Sequence, residues 1–290
     1  MAGKVERDEI TGVETTGHEW DGIRELNNPL PKWWVFVFYA TIAFSVLWWI
    51  LYPAWPSLSG YTRGILGYDQ RTELAEIMAR VEAERRPWLE RIRGEDLAAI
   101  VADTDLLTFA TRGGEVVFKD NCAPCHGLGG AGQLNYPTLA DDDWLWGGTL
   151  EDIYTTVAHG IRFHEDEETR DSTMPAFGAD GILEPAQVDD VVQYVLSLSG
   201  RATDEAAARR GGEIFQEQCA ACHGEDGRGM REVGAPDLAD DIWLYGGEPE
   251  QIRAQIWKPR HGVMPAWAGR LPEESLKMVA IYVHQLGGGE

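Results

Sequence analysis

The feature that most constrains this chain is a seven-residue pattern that occurs twice. The stretch "NCAPCHG" at 121–127 returns 97 residues later as "QCAACHG" at 218–224. The two copies contain all four cysteines of the chain, Cys122, Cys125, Cys219 and Cys222. Each copy has the order C-x-x-C-H, the attachment signature of c-type haem, in which two thiols on one helical turn bond the porphyrin and the histidine faces the iron. The pattern predicts two covalently bound haem c groups, with His126 and His223 as iron ligands.

Other uses of paired cysteines fit this arrangement less well. A zinc site made from two C-x-x-C pairs usually has the pairs closer in sequence and needs no histidine directly after the second cysteine. A thioredoxin-like redox pair needs a βαβ setting, and no strand pattern flanks either copy. Disulfides across the gap stay possible, but they leave His126 and His223 unexplained.

A six-coordinate haem also needs a ligand opposite the histidine. Methionine suits an electron-transfer haem because its thioether raises the reduction potential. Of the six methionines, Met174 in "TMPAFG" and Met264 in "VMPAWAG" share one context. Proline after the methionine favours an extended or turn backbone at that position. We therefore predict Met174 and Met264 as iron ligands, with Met230 in "GRGMREVG" as the competitor.

The remaining histidines have simpler interpretations. His159 and His261 occupy matching "AHGI" and "RHGV" segments, where we expect structural hydrogen bonds. We expect His164, in an acidic loop, to be solvated, and His284 lies on the predicted last helix. Any of the four stays an alternative iron ligand, and would give a lower potential than methionine.

The repeat extends well beyond the haem motif. The stretch "DDWLWGG" at 142–148 matches "DIWLYGG" at 241–247, and the Met-Pro-Ala motifs match once residues 162–173 are treated as an insertion in the first copy. Both copies end in a helix with a predicted buried stripe. The stripes are Val188, Val191, Val192 and Val195 in the first copy and Leu276, Val279, Ala280 and Val283 in the second. The sequence therefore indicates a tandem duplication, with units at 105–200 and 204–290.

Each unit resembles the class I cytochrome c fold, in which the haem forms much of the core of a small domain. Four aromatic residues of the matched motifs can either hydrogen-bond haem propionates or pack against the haem edge. They are Trp144, Trp146, Trp243 and Tyr245.

An apolar segment precedes the repeats. Residues 33–55 carry no charge, and at 1.5 Å per residue they span about 34 Å as a helix, enough to cross a bilayer. Aromatic residues cluster at both ends, as they do at membrane interfaces. A cleavable signal peptide does not fit, because the run is long and 32 residues precede it. We predict a transmembrane helix at 33–55, in preference to a buried core helix. We then expect a helical linker at 56–104, interrupted at Pro87, with its charges solvated.

The formal net charge of the chain is −23, and residues 95–290 hold 35 acidic and 14 basic residues. Such acidity argues against nucleic acid as a partner. It favours docking to a basic partner such as a positively charged cytochrome, although an acidic surface that only maintains solubility is the alternative.

The segment "TTGHEWDGIRELNNPLPKWW" at 15–34 resembles the pre-membrane signature of subunit III, the dihaem cytochrome c subunit (CcoP/FixP type) of cbb₃-type cytochrome c oxidases. The order of parts agrees, although some family members carry two N-terminal membrane helices. The resemblance implies an all-α protein with one N-terminal transmembrane helix followed by two tandem class I cytochrome c domains.

The same resemblance implies a subunit with no active site of its own, in a fixed complex with the catalytic haem–copper subunit and a monohaem cytochrome c subunit. Electrons enter from a cytochrome c donor or a bc₁ complex and pass towards the catalytic subunit. C-type haem is attached on the outer side of the bacterial cytoplasmic membrane. We therefore expect a single-pass inner-membrane protein, with residues 1–32 as a cytoplasmic docking segment and both haem domains in the periplasm.

Two other functions remain open at this stage. A free membrane-anchored dihaem shuttle would need no distinctive segment before the membrane helix. A dihaem peroxidase would need one haem with an open or displaceable site, and usually a bis-histidine partner haem. The two matching Met-Pro-Ala loops argue against the peroxidase.

The haem assignment makes a direct prediction. Replacing Cys122 and Cys125 by serine removes both thioether bonds of one group, so one covalent haem per chain should remain. Haem-stained denaturing gels and pyridine haemochrome quantitation measure this number. Retention of two covalent haems would contradict the assignment.

Overall fold

The computed structural model describes residues 4–290, so residues 1–3 of the predicted N-terminal segment lie outside the described residues. The chain divides into two compact units, one ending at Ala83 and one beginning at Glu84. The described residues form eleven α-helices: α1 (Lys32–Leu51), α2 (Gln70–Gly94), α3 (Leu97–Ala102), α4 (Thr104–Asn121), α5 (Ala123–His126), α6 (Leu150–His159), α7 (Pro185–Leu198), α8 (Glu205–Gln218), α9 (Ala220–His223), α10 (Pro249–Trp257) and α11 (Glu273–His284). Four short strands form two hairpins, β1 (Thr15–Trp20) with β2 (Ile23–Leu26) and β3 (Pro56–Ser57) with β4 (Gly60–Tyr61). The chain is thus mostly helical, as predicted, although two small hairpins are added to the expected all-α fold.

The first hairpin lies directly before the apolar helix. Its strands are antiparallel, with Trp20 opposite Ile23, and the connection is the dipeptide Asp21-Gly22. Both connecting residues have positive φ, 50° and 84°, as a two-residue type I′ turn requires. Trp20 and Ile23 at the tip are 57% and 73% exposed. The hairpin therefore presents two large apolar side chains that the first compact unit does not bury.

Helix α1 is shorter than the predicted segment 33–55, because it ends at Leu51. Tyr52 is extended, with ψ 163°, as expected for a residue that precedes proline. The N–H groups of Ile65 and Leu66 donate to the carbonyl oxygens of Ile50 and Leu51 at 2.9 and 3.1 Å, and so satisfy two groups that a helix end leaves unpaired. The mean hydropathy of α1 is 2.0 and none of its side chains is buried. By length and composition it is able to cross a membrane.

The expected interruption at Pro87 is wrong, because α2 continues through this residue. Proline removes one helical hydrogen bond, but the following turns pack into a buried cluster that compensates. Trp88 and Leu89 contact this cluster, and Ile92 is fully buried in it. The charges of this segment are largely exposed, as expected, and the half-exposed Arg93 guanidinium also donates to both carboxylate oxygens of Glu274 at 3.0 and 2.7 Å. The end of the predicted linker is therefore part of the folded core.

The helices of the second compact unit repeat in the order that the duplication predicts, since α4, α5, α6 and α7 correspond to α8, α9, α10 and α11. All eight residues of the predicted stripes are buried, with at most 4% of their surface exposed. The amphipathic prediction for α7 and α11 is confirmed.

Helices of one copy pack against helices of the other copy. Helix α4 of the first copy packs against α11 of the second, and α8 of the second copy packs against α7 of the first. Helices α6 and α10 follow the same rule, since α6 contacts α11 and α10 contacts α7. One hydrophobic core therefore draws on residues 174–257, which are contiguous, and another on residues 117–157 together with 264–283. The units at 105–200 and 204–290 describe the duplication, whereas each core combines parts of both copies.

Matched glycines lie at the two helix crossings. A methyl group on Gly211 of α8 would overlap the carbonyl oxygen of Asp190, and one on Gly114 of α4 would overlap the carbonyl oxygen of Met278. Backbone atoms cannot move aside as a flexible side chain can. Glycine at these positions allows the helix backbones to approach closely.

Gly211→Ala should therefore destabilise the chain by about 1–3 kcal/mol, as overpacking of a core does, despite the helix propensity of alanine, which favours the substitution by about 1 kcal/mol. Thermal and denaturant unfolding of the haem-loaded chain in detergent measure the change. Gly94→Ala is the control, because no atom lies within 4 Å of a methyl group there. Equal stability of Gly211→Ala and the unaltered chain would contradict the close crossing.

Candidate haem-binding sites

Each C-x-x-C-H motif is a short helical turn that follows a long helix. The N–H groups of Cys122 and Cys219 donate to the carbonyl oxygens of Phe118 and Phe215, both at 2.8 Å. Both phenylalanines are buried, with 0% and 1% of their surface exposed, so they anchor the turns to the two cores. The two cysteines of each motif thus lie on one turn, as covalent attachment to a single porphyrin requires.

The histidine that ends each turn is held by a backbone carbonyl. Nδ1 of His126 lies 3.1 Å from the carbonyl oxygen of Pro137, and Nδ1 of His223 lies 3.1 Å from that of Pro236. A carbonyl oxygen only accepts, so the proton is assigned to Nδ1 and the lone pair to Nε2. Burial lowers the pKa of both imidazoles, against the smaller opposing effect of these hydrogen bonds. Both histidines therefore favour the neutral form that binds metal.

None of the four cysteines, all of which lie within the described residues, forms a disulfide. Burial raises the pKa of Cys122 and of Cys219 to about 11. The two motifs also contribute to different cores, with Cys219 in the one and Cys122 against the other. This geometry fits neither a four-cysteine zinc site nor a disulfide between the motifs.

A cavity of about 300 Å³ lies beside the second motif. Cys219, Cys222 and His223 line it, and Met174 of the first copy lines it as well. Its apolar walls include Phe177, Val191, Val195, Phe215, Ile252 and Ile256. An apolar cavity that combines two thiols, an imidazole and a thioether has the donor set and the lining that haem c needs.

Met264 of the second copy lies in the core beside the first motif. Met264 packs against the core that contains Phe118 and Val279 and that Cys122 contacts. Its backbone is held by Ile161, with hydrogen bonds of 3.0 Å from the Met264 N–H and 2.9 Å from the Ile161 N–H. The competitor, Met230, does not line the cavity beside the second motif, and instead pairs with Ala235 in an isolated bridge.

His159 and His261 make the structural hydrogen bonds that their position predicted. Nδ1 of His159 lies 3.2 Å from the carboxylate of Asp166, and Nε2 of His261 accepts from the N–H of Met174 at 3.1 Å. The bond between Met174 and His261 connects the segments of the two predicted methionine ligands, because His261 lies three residues before Met264.

His164 and His284 were the other histidines considered as alternative iron ligands. His164 is exposed, as expected for the acidic loop. Nε2 of His284 lies 3.0 Å from the carbonyl oxygen of Glu290.

The matched aromatic residues have different partners in the two copies. The indole N–H of Trp144 donates to the carbonyl oxygen of Gly288, whereas the buried indole N–H of Trp243 has no acceptor. Trp243 and Tyr245 line the cavity beside the second motif, and the Tyr245 hydroxyl accepts from the N–H of Gly262 at 3.0 Å. A buried donor without an acceptor is costly, so the Trp243 N–H is available to a group bound in the cavity.

Acidic residues of the two copies lie close together. Burial and, to a smaller extent, the nearby carboxylates of Asp240 and Asp141 together raise the pKa of Asp143 to about 6. The folded chain thus keeps like charges together at neutral pH, at some cost in stability. Any cationic surface that docks there relieves this repulsion.

One residue that lines the cavity beside the second motif was not predicted from the sequence. Arg162, the first residue of the insertion 162–173, lines the same cavity as His223 and Met174. Burial lowers the pKa of its guanidinium. The available signal was its position, directly after the matched His-Gly pair, where the repeat breaks.

Comparison with known proteins matches three successive parts of the chain to family models. A family model described as the N-terminal domain of cytochrome oxidase-cbb3, FixP, matches residues 12–59. A cytochrome c model matches residues 110–199, and a model of cytochrome C oxidase, cbb3-type, subunit III, matches residues 206–283.

Relatives match over essentially the whole chain. A cbb3-type cytochrome c oxidase subunit CcoP of Azospirillum brasilense is 51% identical over 100% of both chains. The chain belongs to the CcoP/FixP family. The CcoP of Cereibacter sphaeroides is 51% identical over 95% of each chain, and the FixP of Bradyrhizobium diazoefficiens is 48% identical over 100% of each. The resemblance seen in residues 15–34 is therefore confirmed.

Membership of the CcoP/FixP family, with its two cytochrome c domains, implies two covalently bound haem c groups. The predicted cofactors and the predicted fold class are confirmed. The chain is a dihaem c-type electron-transfer protein.

Proposed function

We propose that this chain is the membrane-anchored electron-transfer subunit of a cbb₃-type oxidase. It takes electrons from a cytochrome c donor or a bc₁ complex and passes them towards the catalytic haem–copper subunit, beside a monohaem cytochrome c subunit. The observation that carries the proposal is the family-specific segment at 12–59, with a membrane-length helix, joined to two haem-binding units. No catalytic residue is assigned to the chain itself.

The helix α1 anchors the subunit as a single pass through the bacterial inner membrane. Its N-terminal side, residues 1–32, is cytoplasmic, and both haem domains lie in the periplasm, because c-type haem is attached on that side. The hairpin before α1 docks the subunit to its complex. Its tip supports this role, since Trp20 and Ile23 present apolar surface of the kind found at protein interfaces.

The histidine and the methionine that would hold each haem come from different copies of the repeat. His223 pairs with Met174, and His126 pairs with Met264. The support is that Met174 lines the cavity of the second motif, while Met264 packs into the core of the first. The duplicated units at 105–200 and 204–290 then form two haem domains by exchanging their methionine loops and last helices.

Bound haem supplies the one-electron redox chemistry of the subunit. The residues of this chain set its conditions. The carbonyl oxygens of Pro137 and Pro236 orient the imidazoles, the thioethers of Met174 and Met264 favour the reduced state, and the apolar walls keep water from the iron. A methionine at both sites leaves no open coordination position, which disfavours a peroxidase.

A basic cytochrome docks on the acidic surface of residues 95–290. The cluster of Asp143, Asp240 and Asp141 supports this assignment, because a cationic partner offsets the repulsion among these carboxylates.

The exchanged ligation can be tested in chains that keep one haem. In a Cys219→Ser, Cys222→Ser background the haem on the first motif remains. There Met264→His should lower its midpoint potential markedly and abolish the red absorption band of methionine–iron bonding, because imidazole favours the ferric state more than a thioether does. Met174→His should leave both properties unchanged.

The reciprocal Cys122→Ser, Cys125→Ser background should reverse these effects. Spectroelectrochemical titration measures both potentials. If each methionine instead affects the haem of its own copy, ligands are not exchanged.

The docking role predicts a separate result. Replacing residues 15–30 with a Gly/Ser linker of equal length should give a membrane-bound dihaem protein with normal spectra that no longer co-purifies with the catalytic subunit. Donor-driven oxygen consumption by the membranes should be lost. The double substitution Trp20→Ser and Ile23→Ser, which keeps the Asp21-Gly22 turn, should reproduce the loss if the tip carries the contact. Normal assembly of the linker variant would refute the docking role.

A further inference from the structure

We propose that Arg162 binds a propionate carboxylate of the haem on the second motif, and that its charge raises the midpoint potential of this haem alone. The inference rests on the proposed assignment of this cavity to haem with His223 and Met174 as ligands. It adds a residue from the insertion of the first copy to the cofactor site of the second.

The backbone at Arg162 is strained. Its φ is +52°, and the other non-glycine residues with positive φ among those described are Asp21 and Asn135. Asp and Asn tolerate this region because their short side chains hydrogen-bond locally, but arginine has no such compensation. Strain of this kind persists only where the surrounding structure holds it, and it concentrates at binding sites. Here the strained residue is held at the wall of the cavity.

Arg162 makes no ion pair at contact distance among the described residues. Its guanidinium donates to the carbonyl oxygens of Gly262 at 2.7 Å and Ser172 at 3.0 Å, which are neutral acceptors. The carboxylate of Asp171 acts on its charge only from beyond hydrogen-bond distance. A half-buried cation without an ion pair is costly. Arginine has five N–H donors, and a planar carboxylate matches their geometry best.

The same cavity contains a second available donor. The buried indole N–H of Trp243 has no acceptor among the described residues. An apolar cavity that contains a guanidinium without an ion pair and an N–H without an acceptor fits a flat apolar group with carboxylates at one edge. Haem c is such a group.

The insertion makes this arrangement asymmetric. Ile161 of the first copy matches Val263 of the second, but Met264 follows directly in the second copy, whereas the insertion begins with Arg162 in the first. The haem on the first motif therefore has no matching cation. A positive charge beside a haem stabilises the reduced form, because reduction removes one positive charge from the iron. Two sites with the same kinds of axial ligand thus acquire different potentials.

The test uses the full haem-loaded chain in detergent and spectroelectrochemical titration. Arg162→Gln keeps donors for the two carbonyl oxygens but removes the charge, so one of the two titration waves should move to lower potential. It should be the wave that Met174→His lowers, while the other wave stays in place. Arg162→Lys keeps the charge and should retain most of the original potential.

Arg253→Gln is the matched control. Arg253 lies on α10, whose Ile252 and Ile256 line the same cavity, but its guanidinium is paired with Asp189 at 2.6 Å. Loss of this charge should leave both waves unchanged.

Three outcomes would overturn the inference: no shift with Arg162→Gln, equal shifts with the Lys and Gln variants, or a shift of the wave that belongs to Met264. Equal shifts would show that Arg162 only holds the carbonyl oxygens of Gly262 and Ser172.

Pyridine haemochrome counts separate these results from failure of the proposed function. Fewer than two haems in the unaltered chain, or no methionine–iron band, would reject the site assignment itself, whereas two normal haems with no shift would reject the role of Arg162 alone.

Discussion

The close crossing of the first and last helices of each haem unit is the interaction on which the rest of the structure depends. Helix α4 crosses α11 at Gly114, and α8 crosses α7 at Gly211, each time against a backbone carbonyl. These crossings bury the valine-rich stripes of the last helices and place Phe118 and Phe215 beneath the attachment turns. The attachment turns, the histidines and the carbonyl oxygens that orient them all follow from this packing.

Because each crossing joins helices of different copies, each C-x-x-C-H turn rests on a core to which both copies contribute. The segments around Met174 and Met264 each contact the other copy. The backbones of Ile161 and Met264 are hydrogen-bonded to each other, and the N–H of Met174 donates to His261. The insertion 162–173 connects Ile161 to Met174 and exists in the first copy alone. It gives the duplicated protein a local asymmetry, and Arg162 carries that asymmetry into the cavity of the second motif.

The N-terminal unit shows how local signals and context combine. The Asp21-Gly22 dipeptide is a strong hairpin signal, and the two positive φ values that the turn requires are present, so this hairpin was predictable from sequence even though an all-α fold was expected. The end of α1 at Leu51 was also predictable, because Pro53 disfavours a helical Tyr52. The continuation of α2 through Pro87 was not, since it depends on the burial of Ile92 among residues distant in sequence.

The sequence by itself determined the elements whose causes are local: the two C-x-x-C-H turns, the buried stripes of α7 and α11, the membrane-length apolar helix and the family signature at 15–34. It did not determine which methionine lies beside which histidine. Both copies have a glycine on the first helix and a buried stripe on the last helix, so no pattern in either copy indicates whether α4 packs against α7 or α11. Only the tertiary structure decided between them, because the choice depends on the path of the connecting segments, including the twelve residues of the insertion, through three-dimensional space.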